Sequence, residues 1–372
     1  MITYSEKEVL QLGKRINNPK RSYLLVDPLQ GKHIPVSPAK TYQLSAALGE
    51  KLYLEASDAK IVIGFAETAT AIGALAALQF PEDVIYLHTT REKLISDQTV
   101  SFSEEHSHAV DQQIDCTAIS QNSTATIVLI DDEISTGKTI HNIIRQLRTK
   151  FDFLRTVRFV VGSIINRMSE EVIKEMQMQN IHFVSLVKIT DRNFEKEVAF
   201  LSVTMPEPYC SDHLGSYEAI QLKHRLPDLR KGSSIRSLKK DMRLFCEEIT
   251  MQLKEKLSES SRILFLGTEE CMMPAIVAGQ EFEKLYGKKV MTHSTTRSPI
   301  GINTHSGYPC KNGWSIYSFY EMDRKNYLYN LDYYNAAVVI TDSNDLEQIC
   351  RGMQQLSDML QKYCKKIYLI RG

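Results

Sequence analysis

Two adjacent carboxylates and a cluster of hydroxyl groups stand together in the segment Ile127–Thr139, IVLIDDEISTGKT. An apolar strand ends there in Asp131 and Asp132, and a short loop leads into an amphipathic helix. Ligands of open α/β sheets bind at the carboxyl ends of strands, and N–H groups at a helix N-terminus suit a phosphate. Carboxylates accept hydrogen bonds from a diol, so the segment predicts a sugar phosphate site. The residues predicted to hold the phosphate are Ser135, Thr136, Gly137, Lys138 and Thr139.

The end of this motif, Gly137-Lys138-Thr139, also ends a nucleotide-binding P-loop. That loop requires a glycine five residues before its second glycine. Asp132 stands at that position, which excludes a P-loop ATPase.

The whole stretch resembles the PRPP-binding signature of type I phosphoribosyltransferases, in which an apolar strand and two acids precede a Thr/Ser-Gly-x-Thr/Ser loop. The resemblance implies that Asp131 and Asp132 hold the ribose 2- and 3-hydroxyls and that Ser135–Thr139 hold the 5-phosphate. It also implies Mg²⁺, which would arrive with the diphosphate of PRPP. Asp131 and Asp132 are therefore candidate metal ligands, acting through water.

An earlier segment fits the diphosphate loop of the same family. Gly64–Thr70, GFAETAT, follows a predicted strand and precedes a helix of small residues, which let a backbone approach a diphosphate. Its candidate PRPP-binding residues are Glu67, Thr68, Ala69 and Thr70. Arg91, in Thr89-Thr90-Arg91 after the next strand, suits a bidentate phosphate contact and is a candidate catalytic residue; a plain surface arginine is the alternative.

Type I enzymes carry a mobile catalytic hood where this chain has Ser101–Ile114, SFSEEHSHAVDQQI. Such a loop excludes water from a reactive centre. Its candidate catalytic residues are Glu104, Glu105, His106 and His108. The His-x-His pair leaves a metal site open as an alternative, and a solvated loop is another.

A less familiar branch resembles the chain more closely. GFAETATA, HTTRE, EEHSHA and the signature are similar to the orotate-phosphoribosyltransferase-like proteins of tellurite-resistance-associated gene clusters, which carry a C-terminal TRSP domain. Here Thr296-Arg297-Ser298-Pro299 is the tetrapeptide that names this domain. The N-terminal segments NNPKR and GKHIPV fit the same branch. The resemblance implies phosphoribosyl transfer in making a nucleoside- or nucleotide-like metabolite, and it leaves the acceptor base unknown.

The elements that must position these residues alternate as they do in α/β folds. The predicted strands of the first half are Lys60–Ala66, Val84–His88, Thr126–Ile130, Val157–Gly162 and Ile181–Val187. The predicted helices are Ala39–Ser57, Thr139–Lys150 and, further on, Leu238–Leu257. We therefore expect an α/β chain: a type I phosphoribosyltransferase-like parallel sheet flanked by helices, followed by a second, degenerate phosphoribosyltransferase-like α/β domain. The expected limits are 1–205 for the first domain, 206–236 for a linker and 237–372 for the TRSP domain.

Three ordered matches favour a divergent duplication. Their offsets are 202 from Glu67 to Glu269, 206 from Thr89 to Thr295 and 210 from Asp132 to Asp342. The second copy lacks the Ser/Thr-Gly-x-Thr loop after Asp342, so it should bind no PRPP. It could bind the acceptor or serve as scaffold, and the candidate acceptor-binding residues are Lys32, His33, Glu269, Glu270, Thr296, Arg297 and Ser298.

Composition sets the remaining limits. The 372 residues carry 45 basic and 45 acidic side chains, so net charge gives no reason to expect nucleic acid or an anionic membrane as a partner. Seven dispersed cysteines without CxxC argue against a disulfide framework or a zinc cluster. We expect a reduced cytoplasmic protein without a transmembrane helix or signal peptide, and a homodimer is left open.

These observations lead to a Mg-dependent phosphoribosyltransferase that uses PRPP and an unknown base or acceptor. A non-catalytic regulator that senses PRPP or a nucleotide on the same fold is the alternative, and the charged EEHSHA segment favours the enzyme. A PRPP synthetase-like kinase would need an ATP site, for which the sequence offers no motif.

Overall fold

The computed structural model describes residues 2–16, 18, 21–102, 112–122, 124–190, 192–209 and 215–372. Strands and helices alternate along most of this length. The strands are β1 (Gln11–Lys14), β2 (Tyr23–Val26), β3 (Ile61–Gly64), β4 (Ile85–His88), β5 (Thr99–Phe102), β6 (Gln112–Asp115), β7 (Thr126–Ile134), β8 (Arg158–Asn166), β9 (Ile181–Lys188), β10 (Glu207–Pro208), β11 (Glu218–Gln221), β12 (Ser233–Ser234), β13 (Arg262–Gly267), β14 (Lys289–Ser294), β15 (Gly313–Tyr317), β16 (Lys325–Tyr329), β17 (Tyr334–Thr341) and β18 (Cys364–Arg371). The helices are α1 (Glu6–Val9), α2 (Pro38–Glu55), α3 (Ala69–Ala77), α4 (Thr117–Gln121), α5 (Lys138–Lys150), α6 (Glu170–Gln177), α7 (Phe194–Ala199), α8 (Ile235–Leu253), α9 (Met273–Tyr286) and α10 (Leu346–Leu360), with a short 3-10 turn at Asp152–Arg155.

The chain divides into two compact units that interleave along the sequence. The first unit contains Met1–Val9, Gln43–Arg192 and Pro227–Lys239. The second contains Leu10–Tyr42, Asn193–Leu226 and Lys240–Gly372. This division differs from the limits expected from the sequence, which stay a prediction. The expected linker 206–236 includes the strands β10, β11 and β12.

The sheet of the first unit has the order β12-β4-β3-β7-β8-β9. Within this sheet β4, β3, β7, β8 and β9 are parallel, and β12 is antiparallel to β4. All five predicted strands are present, and β7 and β8 run four residues further than predicted. These continuous apolar runs are buried because helices cover parallel sheets on both faces.

Helix α5 shows how the sequence pattern produces this packing. Its apolar residues Ile140, Ile143, Ile144 and Leu147 recur at the spacing of one helical face. All four are buried and join the core that β3, β7 and β8 also line. The site-bearing loop before α5 is thus held by a helix anchored along its length.

The second unit repeats this architecture. Its main sheet has the order β14-β13-β17-β18-β11, with every neighbouring pair parallel. Its first four strands therefore follow the order of the first unit, in which β4-β3-β7-β8 stand side by side. The expected second α/β domain is confirmed. A smaller sheet, β10-β15-β16, and the antiparallel pair β1–β2 belong to the same unit.

No helix of the described residues is long and apolar enough to cross a membrane.

Candidate active site

The acid pair lies in the last part of strand β7, where it extends past its neighbour β3. The strand β3 ends at Gly64, opposite Ile130, whereas β7 continues to Ile134 along β8. Asp131 and Asp132 are half-buried there. The predicted strand end at Ile130 was therefore too early, because β8 continues the ladder with partners for Asp131 and Glu133. Both residues therefore stand at the carboxyl edge of the sheet, beyond the end of β3, which is the usual ligand position in such sheets.

Asp132 links the acid pair to the predicted diphosphate loop. Its backbone N–H donates to the Asp131 carboxylate at 2.9 Å, and the Thr68 hydroxyl bonds its side chain. Loss of water around it raises the pKa of the Asp132 carboxyl, and the nearby Glu133 charge acts in the same direction. Hydrogen bonds from its neighbours oppose this shift. A carboxylate held in this way gains from any hydroxyl donor that a ligand brings.

The loop after the acids ends at the N-terminus of α5. Gly137 immediately precedes the helix with φ +77°, and a Cβ there would come within 2.9 Å of Met168 Cε. Glycine is needed for both reasons. Ser135 and Thr139 are partly exposed, and Thr136 and Lys138 are exposed. The first turn of a 13-residue helix offers N–H groups without intrahelical partners, so these residues can form a phosphate cradle.

The predicted diphosphate loop lies between β3 and α3. Glu67, Ala69 and Thr70 are buried, Thr68 is partly exposed, and the Ala66–Glu67 peptide is cis. A Cβ on Gly64 would come within 2.5 Å of the Tyr86 hydroxyl and 2.9 Å of the Ala69 carbonyl oxygen. The loop therefore folds tightly against the end of its own strand.

The end of β4 holds this loop through its backbone. The Ala66 N–H donates to Thr89 Oγ1 at 2.8 Å, and Gln112 Nε2 donates to the Ala66 carbonyl at 2.7 Å. The Thr89 hydroxyl in turn donates to the side-chain oxygen of Gln112. Thr90 exchanges two backbone hydrogen bonds of 2.8 Å with Gln113. Arg91 is the next residue and is partly exposed.

The predicted catalytic residues of the hood, Glu104, Glu105, His106 and His108, lie outside the described residues. Their flanking strands β5 and β6 form an antiparallel pair. The bonds of Gln112 and Gln113 place the second of these strands beside Ala66 and Thr90. Sequence reasoning missed Gln112, because nothing in its spacing from other residues marks a single amide as part of a site.

Magnesium is compatible with the residues at this edge. Asp131 and Asp132 offer carboxylate oxygens, which Mg²⁺ prefers as ligands. The adjacent Glu133 is engaged with Arg167 at 3.2 Å. The carboxylates of Asp131 and Asp132 thus suit a hydrated cation at this edge.

The second unit carries the same hydrogen-bond frame. Thr295 N–H donates to the Gly267 carbonyl at 3.1 Å, as Thr89 N–H does to Gly64 at 2.9 Å. Glu269 N–H donates to Thr295 Oγ1 at 2.9 Å, in the place of Ala66. When the two units are matched by these hydrogen bonds, Glu67 therefore corresponds to Glu270, whereas the sequence comparison matched it with Glu269.

The frame also includes a hairpin that the sequence did not reveal. Thr296 pairs with Tyr327 on β16 as Thr90 pairs with Gln113 on β6. The hairpin β15–β16 thus corresponds to β5–β6.

At the end of β13 in the second unit, a network of side chains surrounds Glu269. Its carboxylate accepts hydrogen bonds from Arg297 Nε at 2.9 Å and Arg324 Nη2 at 2.8 Å. Ser318 Oγ and Asn326 Nδ2 donate to its other oxygen, each at 2.6 Å. Only 1% of the Glu269 side chain is exposed, against 14% for each arginine. Nearby, the Tyr320 hydroxyl bonds Asp342 Oδ1 at 2.6 Å.

The candidate acceptor-binding residues of the N-terminal segment join the same region. Lys32 is fully buried, and its Nζ donates to the Glu269 carbonyl at 2.7 Å. His33 is 3% exposed and lies against the Tyr329 ring. The structure thus brings Lys32, Glu269 and Arg297 together, with Glu270 3.7 Å from the guanidinium. Thr296 is buried and Ser298 partly exposed.

Comparison with known proteins assigns both parts of the chain. Residues 9–192 match the model of a phosphoribosyl transferase family, and residues 230–360 match a TRSP domain C-terminal to it. The first match includes the sheet edge with the acid pair, and together the two matches cover most of the chain and show a phosphoribosyltransferase, a pentosyltransferase. The second match places it among the phosphoribosyltransferases whose C-terminal part is a TRSP domain.

Solved structures similar to this chain include three phosphoribosyltransferases. The adenine phosphoribosyltransferase of Leishmania tarentolae is 14% identical, covers 49% of this chain and 85% of its own, and gives a TM-score of 0.35. The adenine phosphoribosyltransferase of Giardia lamblia, complexed with 9-deazaadenine, is 14% identical. It covers 51% of this chain and 99% of its own, and its TM-score is 0.37. The orotate phosphoribosyltransferase of Aeropyrum pernix is 15% identical. It covers 53% of this chain and 96% of its own, and its TM-score is 0.32. No curated protein matches the chain significantly.

Proposed function

We propose that this chain uses PRPP and Mg²⁺ to transfer a phosphoribosyl group to a base or base-like acceptor, which gives a nucleoside- or nucleotide-like product. In this reaction the bond from ribose C1 to the diphosphate oxygen breaks, a bond from C1 to the acceptor forms, and the diphosphate leaves. The observation that supports it most is the acid pair extending past β3, between Thr68 and the loop that enters α5.

The groups of PRPP match the groups around this edge. Asp131 and Asp132 would accept hydrogen bonds from the ribose hydroxyls, and Ser135–Thr139 would bind the 5-phosphate. The loop Glu67–Thr70 would bind the diphosphate, with Arg91 contributing positive charge. Mg²⁺, bound with the diphosphate, would offset charge on the leaving group. Catalysis would then come mainly from positioning and electrostatic stabilisation.

The hood candidates keep their predicted place in this scheme. Glu104, Glu105, His106 and His108 would provide acid–base or substrate contacts at the reacting carbon. The second unit would bind the acceptor or support the first as scaffold. The resemblance does not specify the acceptor base. A cytoplasmic location stays a prediction from the cysteine pattern and the composition, and an association with tellurite resistance stays a prediction from the resemblance.

The experiment for this proposal follows diphosphate release. The full-length chain is incubated with PRPP, MgCl₂ and a panel of purine, pyrimidine and pyridine bases. We expect one class of base to release diphosphate in proportion to enzyme, and the Asp131→Asn, Asp132→Asn double variant to lose this activity. PRPP binding without release for any base would favour the non-catalytic sensor. Absence of both binding and release would contradict the proposal.

A further inference from the structure

Arg230 lies at the carboxyl edge of the first unit, although it belongs to a segment that the sequence marks as a linker. Residues 228–236 run antiparallel along β4. The Leu229 carbonyl accepts the His88 N–H at 3.0 Å, and Ser233 pairs with Tyr86. This direction carries Arg230 past the carboxyl end of β4. Arg230 Nε donates to Thr90 Oγ1 at 3.3 Å, and its side chain is only 13% exposed.

Thr90 belongs to the network that holds the diphosphate loop. It is joined to Gln113 by two backbone hydrogen bonds, and its neighbour Thr89 bonds the Ala66 N–H. Gln112 bonds the Ala66 carbonyl. Both polar backbone groups of Ala66, directly before Glu67, are therefore fixed by residues on either side of the Thr90–Gln113 pair. A guanidinium anchored on Thr90 restrains this pair and adds positive charge beside Arg91.

We propose that Arg230 is a positioning residue of the diphosphate subsite, a role that rests on the proposed function. It holds Thr90, and through the Thr90–Gln113 pair it fixes the backbone that presents the loop to an anionic ligand. The adjacent Asp228, 3.6 Å from Arg230 Nη1, orients the guanidinium. The ligand class is a diphosphate, free or as part of PRPP.

The test compares two arginines of the same segment. Arg236 also lies along β4, at its other end, where its exposed side chain pairs with Glu82 at 3.1 Å. Arg230→Ala, Arg230→Lys and Arg236→Ala are made in the full chain. Calorimetry measures the affinity of each protein for inorganic diphosphate and for ribose 5-phosphate, each with MgCl₂. Hydrogen exchange follows the amides of Ala66, Thr90 and Gln113.

Because Thr90 and the loop backbone are then held less firmly, we expect Arg230→Ala to weaken diphosphate binding about tenfold. The diphosphate affinity of Arg230→Lys should lie between that of Arg230→Ala and that of the wild type, because lysine keeps the positive charge but lacks the planar guanidinium donor. Ribose 5-phosphate affinity should change less than about twofold in every variant, since its phosphate belongs to the α5 cradle. The three amides should exchange faster in Arg230→Ala than in Arg236→Ala.

Equal effects of Arg230→Ala and Arg236→Ala would overturn the proposal, because both would then report only the packing of the segment on β4. Unchanged diphosphate affinity together with unchanged exchange would overturn it as well. If the wild-type chain binds neither probe, the proposed function fails, and the exchange of the three amides still decides whether Arg230 holds the loop.

Discussion

At the scale of a single residue, the position of Asp132 favours ligand binding, whereas its surroundings disfavour its charged form. Its position on the open side of β7 suits contact with ribose hydroxyls, yet the surroundings remove water from it and set Glu133 beside it. Both effects raise the pKa of its carboxyl. The protein without ligand therefore holds a carboxylate that is less favourable than in the unfolded chain. A diol that donates hydrogen bonds would relieve this cost, and the relief would appear as affinity.

The first prediction concerns stability against pH. Because folding raises the pKa of Asp132, the folded state binds more protons in the window between the unfolded and folded values, and stability falls as pH rises through it. Asp132→Asn removes this loss. The variant should be more stable than the wild type at neutral pH, and the difference should shrink as pH falls below the ordinary carboxyl range. Urea unfolding at several pH values measures this.

Asp332 provides a control of opposite sign. A hydrogen bond from Arg262 holds the pKa of its carboxyl below the ordinary value. Asp332→Asn should therefore lower stability at neutral pH, with an effect lost as pH falls through the lowered folded value. A destabilised Asp132→Asn at neutral pH would contradict the description of the Asp132 site.

Residue types were predictable from sequence where chemistry and spacing coincide. Asp131, Asp132 and the Ser135–Thr139 loop stand in one compact motif that also shares a sheet edge in the structure. Gln112 and Arg230 were not predictable, since each acts through contacts distant in sequence. Arg230 in particular lies in a stretch rich in proline, glycine and serine, a composition typical of a connection.

At the scale of elements, the site depends on how α5 begins. Gly137 has both a left-handed backbone and a neighbour, Met168, at clash distance from any added Cβ. Gly287, after α9, has φ +60° but no atom within 4 Å of an added Cβ. The two glycines therefore separate backbone strain from steric overlap.

The second prediction compares alanine at these two positions. Gly287→Ala should cost about 1 kcal/mol of unfolding free energy, as expected for a left-handed residue. Gly137→Ala should cost more and should also weaken ribose 5-phosphate binding, because Met168 must shift and the cradle with it. Chemical denaturation and calorimetry measure the two effects. Equal costs, with phosphate binding unchanged in Gly137→Ala, would show that the start of α5 does not shape the cradle.

The predicted elements were confirmed most clearly where apolar periodicity was strong. The buried face of α5 is the case in point. The end of β7 was missed because acidic residues seldom continue a strand, and only the neighbour β8 explains why they do here. The hairpins β5–β6 and β15–β16 were missed since their strands are only four or five residues long, too short for a periodic pattern to stand out.

The whole molecule uses one hydrogen-bond frame twice, with different occupants. In the first unit the Ala66 N–H donates to Thr89. In the second unit the Glu269 N–H donates to Thr295, and the Glu269 carboxylate pairs with both Arg297 and Arg324. A protein carboxylate thus fills the neighbourhood of two arginines. Asp342 likewise bonds Tyr320, which belongs to the turn of the β15–β16 hairpin.

The third prediction tests this replacement with Glu269→Ala. Removing one partner of a buried ion pair costs about 3–5 kcal/mol because it leaves charge without its partner. Added inorganic diphosphate should then raise the thermal midpoint of the variant more than that of the wild type, since an anion binding only the folded state stabilises it. Asp332→Ala, which removes the partner of the more exposed Arg262, is the control. Equal gains in all three proteins would contradict an anion-binding pair of arginines.

The central claim is that the chain binds PRPP at the acid pair of its first unit and nowhere in its second. Calorimetry of the full-length protein with PRPP and MgCl₂ tests it most directly. The matched variants are Asp131→Asn with Asp132→Asn, and Asp342→Asn at the corresponding strand end of the second unit. We predict one PRPP per chain, a loss of roughly a hundredfold or more in the double variant, from two charge-assisted hydrogen bonds, and unchanged affinity in Asp342→Asn. Two equivalents of PRPP, or full affinity in a folded double variant, would contradict the account.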